Sequence, residues 1–313
     1  RGLGDVYKRQ MQFYCDTVWV LEKLGIPLNN YYMIHLNAEY VRGKELDPSE
    51  LFVVSTHFYN NKNRPGKDVR TAIKASMQDV SQQIRAMDEL LSKPLPSPAR
   101  SHKCAGRQKC RYFDLCFPEA ASIADNSILF LSGSQYRYAM KDEGRLLLKD
   151  ADHTRIEGTP MQYAEIMADK NGGLFVDRSA VGSWLNDVVY PVTFLDFEWE
   201  CFAIPPYEGM RPYDVLLFEY SIHVLHRDGT LDHQVFLSTH DDRKQLAASL
   251  LKDIPAYGTI MAYNADGAEK IRIRELAEMY PELKEDLLKL NDRMMDLQFP
   301  FANGLVYDLR MRC

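Results

Sequence analysis

The sequence lacks the features that would place it in a membrane or a secretory pathway. No apolar run approaches the roughly 20 residues that span a bilayer, and no secretory signal stands at its start. These absences predict a cytoplasmic protein without a membrane partner. The net charge is -6, from 38 Lys and Arg against 44 Asp and Glu. The chain therefore lacks the overall positive charge of many nucleic-acid binders, although a local basic groove is all that a nuclease needs.

Cysteine is scarce, and half of it is clustered. Three of the six cysteines are Cys104, Cys110 and Cys116, and clustering in a cytosolic chain favours metal binding over disulfides. The spacing is too wide for a common zinc ribbon. An iron–sulfur cluster needs four thiolates, so the fourth would be Cys15 or a residue before the present start. The alternative is three buried structural cysteines.

The chain also lacks an initiator methionine. Residues 1–10 (RGLGDVYKRQ) resemble translated sequencing-adapter DNA, so we exclude them from the fold prediction. The chain stops at Cys313 in the middle of a sequence pattern, and we therefore expect a gene fragment that is truncated at both ends. The 313 residues, 46% of them hydrophobic and 26% charged, suffice for two globular domains.

Periodicity predicts the elements of the first 190 residues. Helical spacing begins at residue 11 and ends at Gly25, and strands are predicted at 31–36 and 51–56. An amphipathic stripe predicts one long helix over 69–91, which the prolines at 94, 96 and 98 end. Residues 119–189 read as a helical connector, with helices near 125–131, 161–167 and 176–189.

The last third has an α/β order. Strands are predicted at 192–199, 215–226, 231–238 and 258–263, and helices at 241–253, 266–279 and 282–295. Asp228-Gly229 between two apolar runs predicts a hairpin. Three strands, a helix and a fourth strand fit the ribonuclease-H-like layout, a mixed sheet with flanking helices.

The most informative segment is the predicted strand that carries Asp196 and Glu198. Residues i and i+2 of a strand share one face, and the neighbours Val192, Phe194, Leu195 and Phe197 argue for burial. Two carboxylates held so close repel each other unless a divalent cation lies between them. A pair of such cations can drive phosphodiester hydrolysis. The alternative is an acidic pair on a solvated strand edge.

Further acids follow the fourth strand. Asp266 and Glu269 lie where that strand ends and a helix begins, the usual place of a functional crevice in an α/β sheet. We favour Glu269 as the metal-site acid, with Asp266 as the alternative. Helix capping by Asn264 or Asp266, with Glu269 near position N3, is a structural interpretation that is compatible with this one. Asp296, after the next predicted helix, is a supporting acid or a capping residue.

These motifs together resemble one bacterial family, the "domain of unknown function 2779". The resemblance rests on 190–198, 203–205, 211–213, 221–223, 262–264 and 293–297. That family is similar to the DEDD 3′–5′ exonucleases of the ribonuclease-H-like fold. The resemblance implies that Asp196 and Glu198 bind two Mg²⁺ or Mn²⁺ ions with Glu269 or Asp266, and that Asp296 supports them. The last motif, with its final Asp and general base, would follow residue 313.

The resemblance also implies how substrate would be held. Tyr263 and Asn264 would orient the terminal nucleotide, and Arg211 would contact the substrate. One ion would activate water and the other would stabilise the leaving 3′ oxygen.

Residues 11–118 are similar to RecB-like PD-(D/E)xK nucleases that carry a cysteine-bound iron–sulfur cluster. The likeness rests on Tyr14 with Gln10 or Gln12, on residues 33–42 and on the three clustered cysteines. It implies a partial restriction-endonuclease-like α/β domain with a 4Fe-4S cluster. The acids of its active site would precede residue 11, so this half would lack them.

The sequence therefore predicts a metal-dependent nuclease, a 3′–5′ exonuclease over residues 190–313, with nucleic acid as partner and DNA in preference to RNA. The fragment itself is expected to be weak or inactive, because both sites are cut. One alternative is a nucleic-acid-binding scaffold that keeps the fold and the cluster without turnover. Another is a zinc-stabilised interaction protein.

Overall fold

The computed structural model describes residues 3–59, 64–77, 80–94, 110–116, 126–156 and 158–311. Contacts divide the chain into two compact units. One comprises Arg1–Ser97 and Glu200–Val215, and the other comprises Pro98–Trp199 and Leu216–Cys313. No helix within the described ranges is long and apolar enough to cross a membrane.

The first unit is built of short elements around a small core. Its helices are α1 (Leu3–Lys23), α2 (Pro48–Leu51), α3 (Val69–Met77) and α4 (Val80–Leu91), and its strands are β1 (Met33–Leu36), β2 (Phe52–Ser55), β3 (His57–Tyr59) and β4 (Pro65–Asp68). β1 pairs with β2 and β3 with β4, both antiparallel. Cys15, Val18, Phe58, Val69 and Ile73 are buried together.

Three predictions for this unit can be compared with these elements. The first helix and both predicted strands are confirmed, and α1 is followed by Gly25 at φ 73°, a conformation that favours glycine at a helix end. The helix predicted over 69–91 is helical at Val69–Met77 (α3) and at Val80–Leu91 (α4), and positions 78–79 between them lie outside the described residues. The hairpin of β3 and β4 was not predicted.

The first part of the second unit is not purely helical. Its elements are α5 (Phe113–Cys116), α6 (Arg137–Asp142), α7 (Pro160–Lys170), β5 (Leu174–Val176) and α8 (Arg178–Asn186), with short 3-10 helices at Ile128–Phe130, Leu148–Asp150 and His153–Arg155. The predicted helix near 125–131 is therefore only a 3-10 turn. The helix near 161–167 is α7, and β5 precedes the one near 176–189.

A five-stranded mixed sheet dominates the rest of this unit. Its strands are β6 (Val192–Cys201), β7 (Val215–Leu225), β8 (Leu231–Leu237), β9 (Thr259–Ala262) and β10 (Met294–Asp296), in the spatial order β10-β9-β6-β7-β8. β9 pairs in parallel with both β6 and β10, whereas β7 and β8 are antiparallel. The α/β class with a mixed sheet is confirmed.

The remaining elements are helices α9 (Arg243–Asp253), α10 (Glu269–Met279), α11 (Lys284–Asp292) and α12 (Phe299–Ala302), strand β11 (Val306–Asp308), and 3-10 helices at Pro281–Leu283 and Leu309–Met311. The helix predicted over 282–295 is wrong at its end, because Met294–Asp296 forms strand β10. β11 pairs antiparallel with β5. Strand β11, near the end of the described chain, thus pairs with a strand of the predicted connector, residues 119–189.

One face of the sheet carries the core of the unit. Leu195 and Phe197 of β6, Tyr220 and Ile222 of β7 and Ile260 of β9 pack against apolar side chains of α9, α10 and α11. The odd and even positions of a strand face opposite ways. The alternate residues of β6 and β8 therefore lie on the other face, where they are largely exposed.

Candidate metal-binding site

Strand β6 presents its two acids side by side. Leu195 and Phe197 are 4% and 2% exposed, whereas Phe194, Asp196 and Glu198 lie on the exposed face. The shared face follows from strand alternation, as predicted. The expected burial of the acids is wrong, because Asp196 and Glu198 are both exposed.

The sheet register gathers further acids at the carboxyl ends of the parallel strands. Asp296, the last residue of β10, is paired with Ala262, the last residue of β9. Phe194 of β6 is paired with Met261 of the same strand, β9, so Asp196 lies just beyond the end of β9. The carboxyl ends of neighbouring parallel strands form the usual functional crevice of an α/β sheet.

Glu269 is the buried acid of this region. It is the first residue of α10 and is 3% exposed. Burial first, and then the charges of Asp196 and Asp296, raise the pKa of Glu269 to about 7, although a backbone hydrogen bond and Arg272 act in the opposite direction. Its Oε2 has no hydrogen-bond partner within the described residues. A buried carboxylate oxygen without a donor is costly unless a proton or a cation satisfies it.

The two acids that the sequence left as alternatives lie in different surroundings. The Asp266 side chain is 74% exposed, and its Oδ1 lies 2.7 Å from Nζ of Lys270. That surface ion pair leaves Asp266 without a reason to need another cation. Glu269 is buried, and its Oε2 has no hydrogen-bond partner within the described residues. Of the two acids, Glu269 is therefore the one whose surroundings favour a bound cation.

The turn between β9 and α10 is tightly built. Asn264 has φ 59°, and its backbone carbonyl accepts hydrogen bonds from the backbone N–H groups of Gly267 and Ala268, both at 3.0 Å. A Cβ on Gly267 would lie 2.5 Å from Oδ1 of Asn264, so glycine is required for the Asn264 amide to rest there. Tyr263 is 60% exposed. Both predicted substrate-binding residues of the turn are thus accessible beside Glu269.

Arg211, the third predicted substrate-binding residue, lies in the other compact unit. Its side chain is 51% exposed, and its Nη1 is 3.8 Å from Oε2 of Glu39. Its backbone N–H donates to Oδ2 of Asp214 at 2.7 Å. These contacts give Arg211 a local structural role within that unit.

The sequence-based prediction missed the roles of two arginines, Arg272 beside the acids and Arg293 at the opposite end of β9 and β10. The Arg272 guanidinium lies 5.2 Å from the ring centroid of Trp199, its Nη2 donates to Oε1 of Glu275 at 2.9 Å, and its buried Nε has no partner in the described part of the chain. Arg272 lies three residues after Glu269 on α10, a spacing that places both on one helix face.

Arg293 fixes the entrance to β9. Its Nη1 and Nη2 donate to the backbone carbonyls of Gly258 and Pro255, at 3.0 and 2.6 Å. No local signal in the sequence marks this role, because Arg293 lies inside the helix predicted over 282–295 and its partners are distant along the chain.

The donor chemistry fits a hard divalent cation, although the acids are not arranged as a finished cage. Carboxylate oxygens are the ligands that Mg²⁺ and Mn²⁺ prefer. Within the ranges that the structure describes, no group of three or more His, Cys, Asp or Glu is spaced to hold a metal ion. The charges of Asp196 and Asp296 act on Glu269, so these three acids lie near one another without forming such a group.

The cysteine cluster is described only in part. Cys104 lies outside the described residues. Cys110 and Cys116 are half-buried free thiols that pack against Phe113 and Leu129. Cys15 is 1% exposed, its Sγ donates to the carbonyl of Ile73, and burial raises the pKa of its thiol. A raised thiol pKa disfavours the thiolate that a cluster ligand must supply.

Comparison with known proteins supports the motif-based resemblance over the C-terminal part. No curated protein and no solved structure gives a significant match to the chain. Residues 193–313, which include every acid of the candidate site, match the model of the family described as "Domain of unknown function (DUF2779)".

Proposed function

We propose that the region of residues 190–313 is the body of a metal-dependent nuclease, a 3′–5′ exonuclease of the ribonuclease-H-like type. The observation that carries the proposal is the buried carboxyl of Glu269, whose Oε2 has no partner within the described residues, near Asp196 and Asp296. Anionic groups gathered near the carboxyl ends of the parallel strands β9 and β10 destabilise one another in the absence of a cation. That destabilisation is relieved when a divalent cation binds.

Asp196, Glu198, Glu269 and Asp296 would hold two Mg²⁺ or Mn²⁺ ions. When bound, such ions activate water and stabilise the charge that develops on phosphoryl oxygens. Tyr263 offers an exposed ring on which a terminal base can stack. These roles are assigned by chemistry and placement.

The residues at the turn would provide orientation. Asn264 has a left-handed backbone conformation, and its exposed amide lies against Gly267, where it would hydrogen-bond the terminal nucleotide. We propose DNA rather than RNA as the preferred substrate.

Asp196→Asn in the full-length protein tests the proposal. The expected result is loss of Mg²⁺- or Mn²⁺-dependent degradation of a 5′-labelled single-stranded oligonucleotide, with an unchanged far-UV circular dichroism spectrum. Asp266→Asn is the matched control, because that carboxylate is exposed and paired with Lys270. Degradation by Asp196→Asn at the wild-type rate would refute the assignment.

A second candidate is a nucleic-acid-binding scaffold without turnover. It is favoured by the spacing of the acids, since the described residues include no preformed group of three or more metal ligands. Binding of the same oligonucleotide that survives Asp196→Asn, without degradation by either protein, is the result that this candidate predicts.

We also propose that Cys104, Cys110 and Cys116 bind an iron–sulfur cluster. The partly exposed Cys110 and Cys116 thiols suit this role better than the buried Cys15. Anaerobically purified protein is expected to contain iron and to show the visible absorbance of a thiolate-bound iron–sulfur cluster. Cys110→Ser is expected to remove both signals, and stoichiometric zinc in place of iron would contradict the proposal.

A further inference from the structure

A stacked pair of histidines lies on the open face of the sheet. His223 of β7 is directly opposite His233 of β8 in the antiparallel register. Their ring centroids are 4.2 Å apart, and the ring planes are inclined by only 13°. Residues directly opposite each other have Cβ atoms about 4.5–5.5 Å apart, so both imidazoles can reach a common point above the sheet.

The imidazole nitrogens are accessible and mostly uncommitted. His233 is exposed, and its Nε2 lies 3.3 Å from Oγ of Ser221. His223 is half-buried, and its imidazole makes no hydrogen bond to any side chain or backbone group that the structure describes. The neighbours of His233 on this face, Val235 and Leu237, are 56% and 64% exposed. The β8 side of the pair is therefore open.

We propose that His223 and His233 form a two-imidazole site for a borderline divalent transition cation, with Zn²⁺, Ni²⁺ and Cu²⁺ as the fitting class. Neutral imidazole nitrogen is a preferred ligand of these ions, whereas Mg²⁺ and Ca²⁺ prefer oxygen. Water molecules complete the coordination, as at open metal sites. The Ser221 hydroxyl is a positioning group that orients the His233 ring through Nε2.

Binding requires a small rearrangement of the rings. A metal ion lies in the plane of each imidazole that ligates it, and two nearly parallel planes do not share such a point. Both rings must therefore rotate out of the stack, and the open face provides the space for this rotation. A change in the ring environment of both histidines upon metal addition follows directly.

The site is chemically distinct from the acid cluster of the proposed function. The acids offer oxygen ligands on β6, at the end of β10 and at the start of α10, whereas the histidine pair lies on β7 and β8. Asp196→Asn is expected to leave Ni²⁺ or Zn²⁺ binding to the histidines unchanged. Failure of one proposal therefore does not imply failure of the other.

The test is calorimetric titration of Ni²⁺ and Zn²⁺ into the full chain, with thiols alkylated beforehand and Mg²⁺ in excess. His223→Gln and His233→Gln are each expected to weaken one binding event by about tenfold or more. His240→Gln is the control, because His240 is exposed and lies outside the hairpin with Nδ1 3.1 Å from Oγ1 of Thr239. Far-UV circular dichroism checks that each variant folds.

A second measurement does not depend on any variant. Zn²⁺ is expected to protect His223 and His233, but not His240, from diethyl pyrocarbonate, as mapped by mass spectrometry. Unchanged metal affinity in both histidine variants, or equal modification of all three histidines with and without Zn²⁺, would overturn the proposal.

Discussion

Replacement of Glu269 by Gln removes the charge from the most buried acid of the candidate site. Its pKa is about 7 in the folded protein against an ordinary value of 4.5. Between these values the native carboxyl still holds its proton while the unfolded chain has lost it. The free energy of unfolding therefore falls as the pH rises through this window. One pKa unit corresponds to about 1.4 kcal/mol, so the loss is about 3 kcal/mol when complete.

The measurement is urea denaturation of both proteins at pH 4.5, 6 and 8, with EDTA present. The difference in stability between Glu269→Gln and wild type is expected to change by about 3 kcal/mol in favour of the variant from pH 4.5 to pH 8. A fixed cost of burying the amide shifts all three points equally and leaves this change intact. Asp266→Asn, an exposed acid on the same turn, should follow wild type.

Divalent cations provide the second arm of the same experiment. Saturating Mn²⁺ should raise the free energy of unfolding of the wild-type protein above pH 7, because the cation takes the place of the proton on Glu269. The variant should gain little from Mn²⁺. Parallel pH profiles for wild type and Glu269→Gln would show that the carboxylate is not held in an unfavourable environment, and the reasoning that assigns the cation site would fail.

Two further predictions concern the entrance to β9. Arg293→Met removes two hydrogen bonds from a charged donor to backbone carbonyls. Urea denaturation is expected to show a free energy of unfolding lower by about 2–4 kcal/mol, with Arg293→Lys intermediate. A decrease below about 0.5 kcal/mol would contradict this role of Arg293. Gly258→Ala is expected to cost about 2–4 kcal/mol, because Gly258 has φ 98° and its Cβ would lie 2.1 Å from the carbonyl oxygen of Pro191. Gly209→Ala, also at positive φ but with no atom within 4 Å, controls for backbone strain alone.

The long regular elements of the C-terminal part could be predicted from local patterns. Strands β6 to β9 and helices α9 and α10 show clear periodicity, and Gly229 adopts φ 86° in the hairpin that Asp228-Gly229 predicts. Strand β10 could not be predicted, since its three residues directly follow a helix and become a strand only by pairing with β9. The same holds for β5 and β11, whose pairing partners lie far apart in the sequence.

The site could be predicted as a set of residues but not as an environment. Alternation placed Asp196 and Glu198 on one face, yet the sequence does not show which face the helices cover. Asp266 and Glu269 both lie near the start of one helix, and only the turn around Gly267 decides that one is exposed and the other buried. The unpartnered oxygen of Glu269 is likewise a consequence of tertiary packing.

The pairing of β5 with β11 affects how the C-terminal region can be produced in isolation. Leu174–Val176 precede the matched region that begins at residue 193, yet they supply the backbone partners of Val306–Asp308. A recombinant fragment cut at that boundary would leave β11 with open donors and acceptors, which invite pairing between molecules. Expression that starts before α7 is therefore expected to give the better-behaved sample for crystallisation.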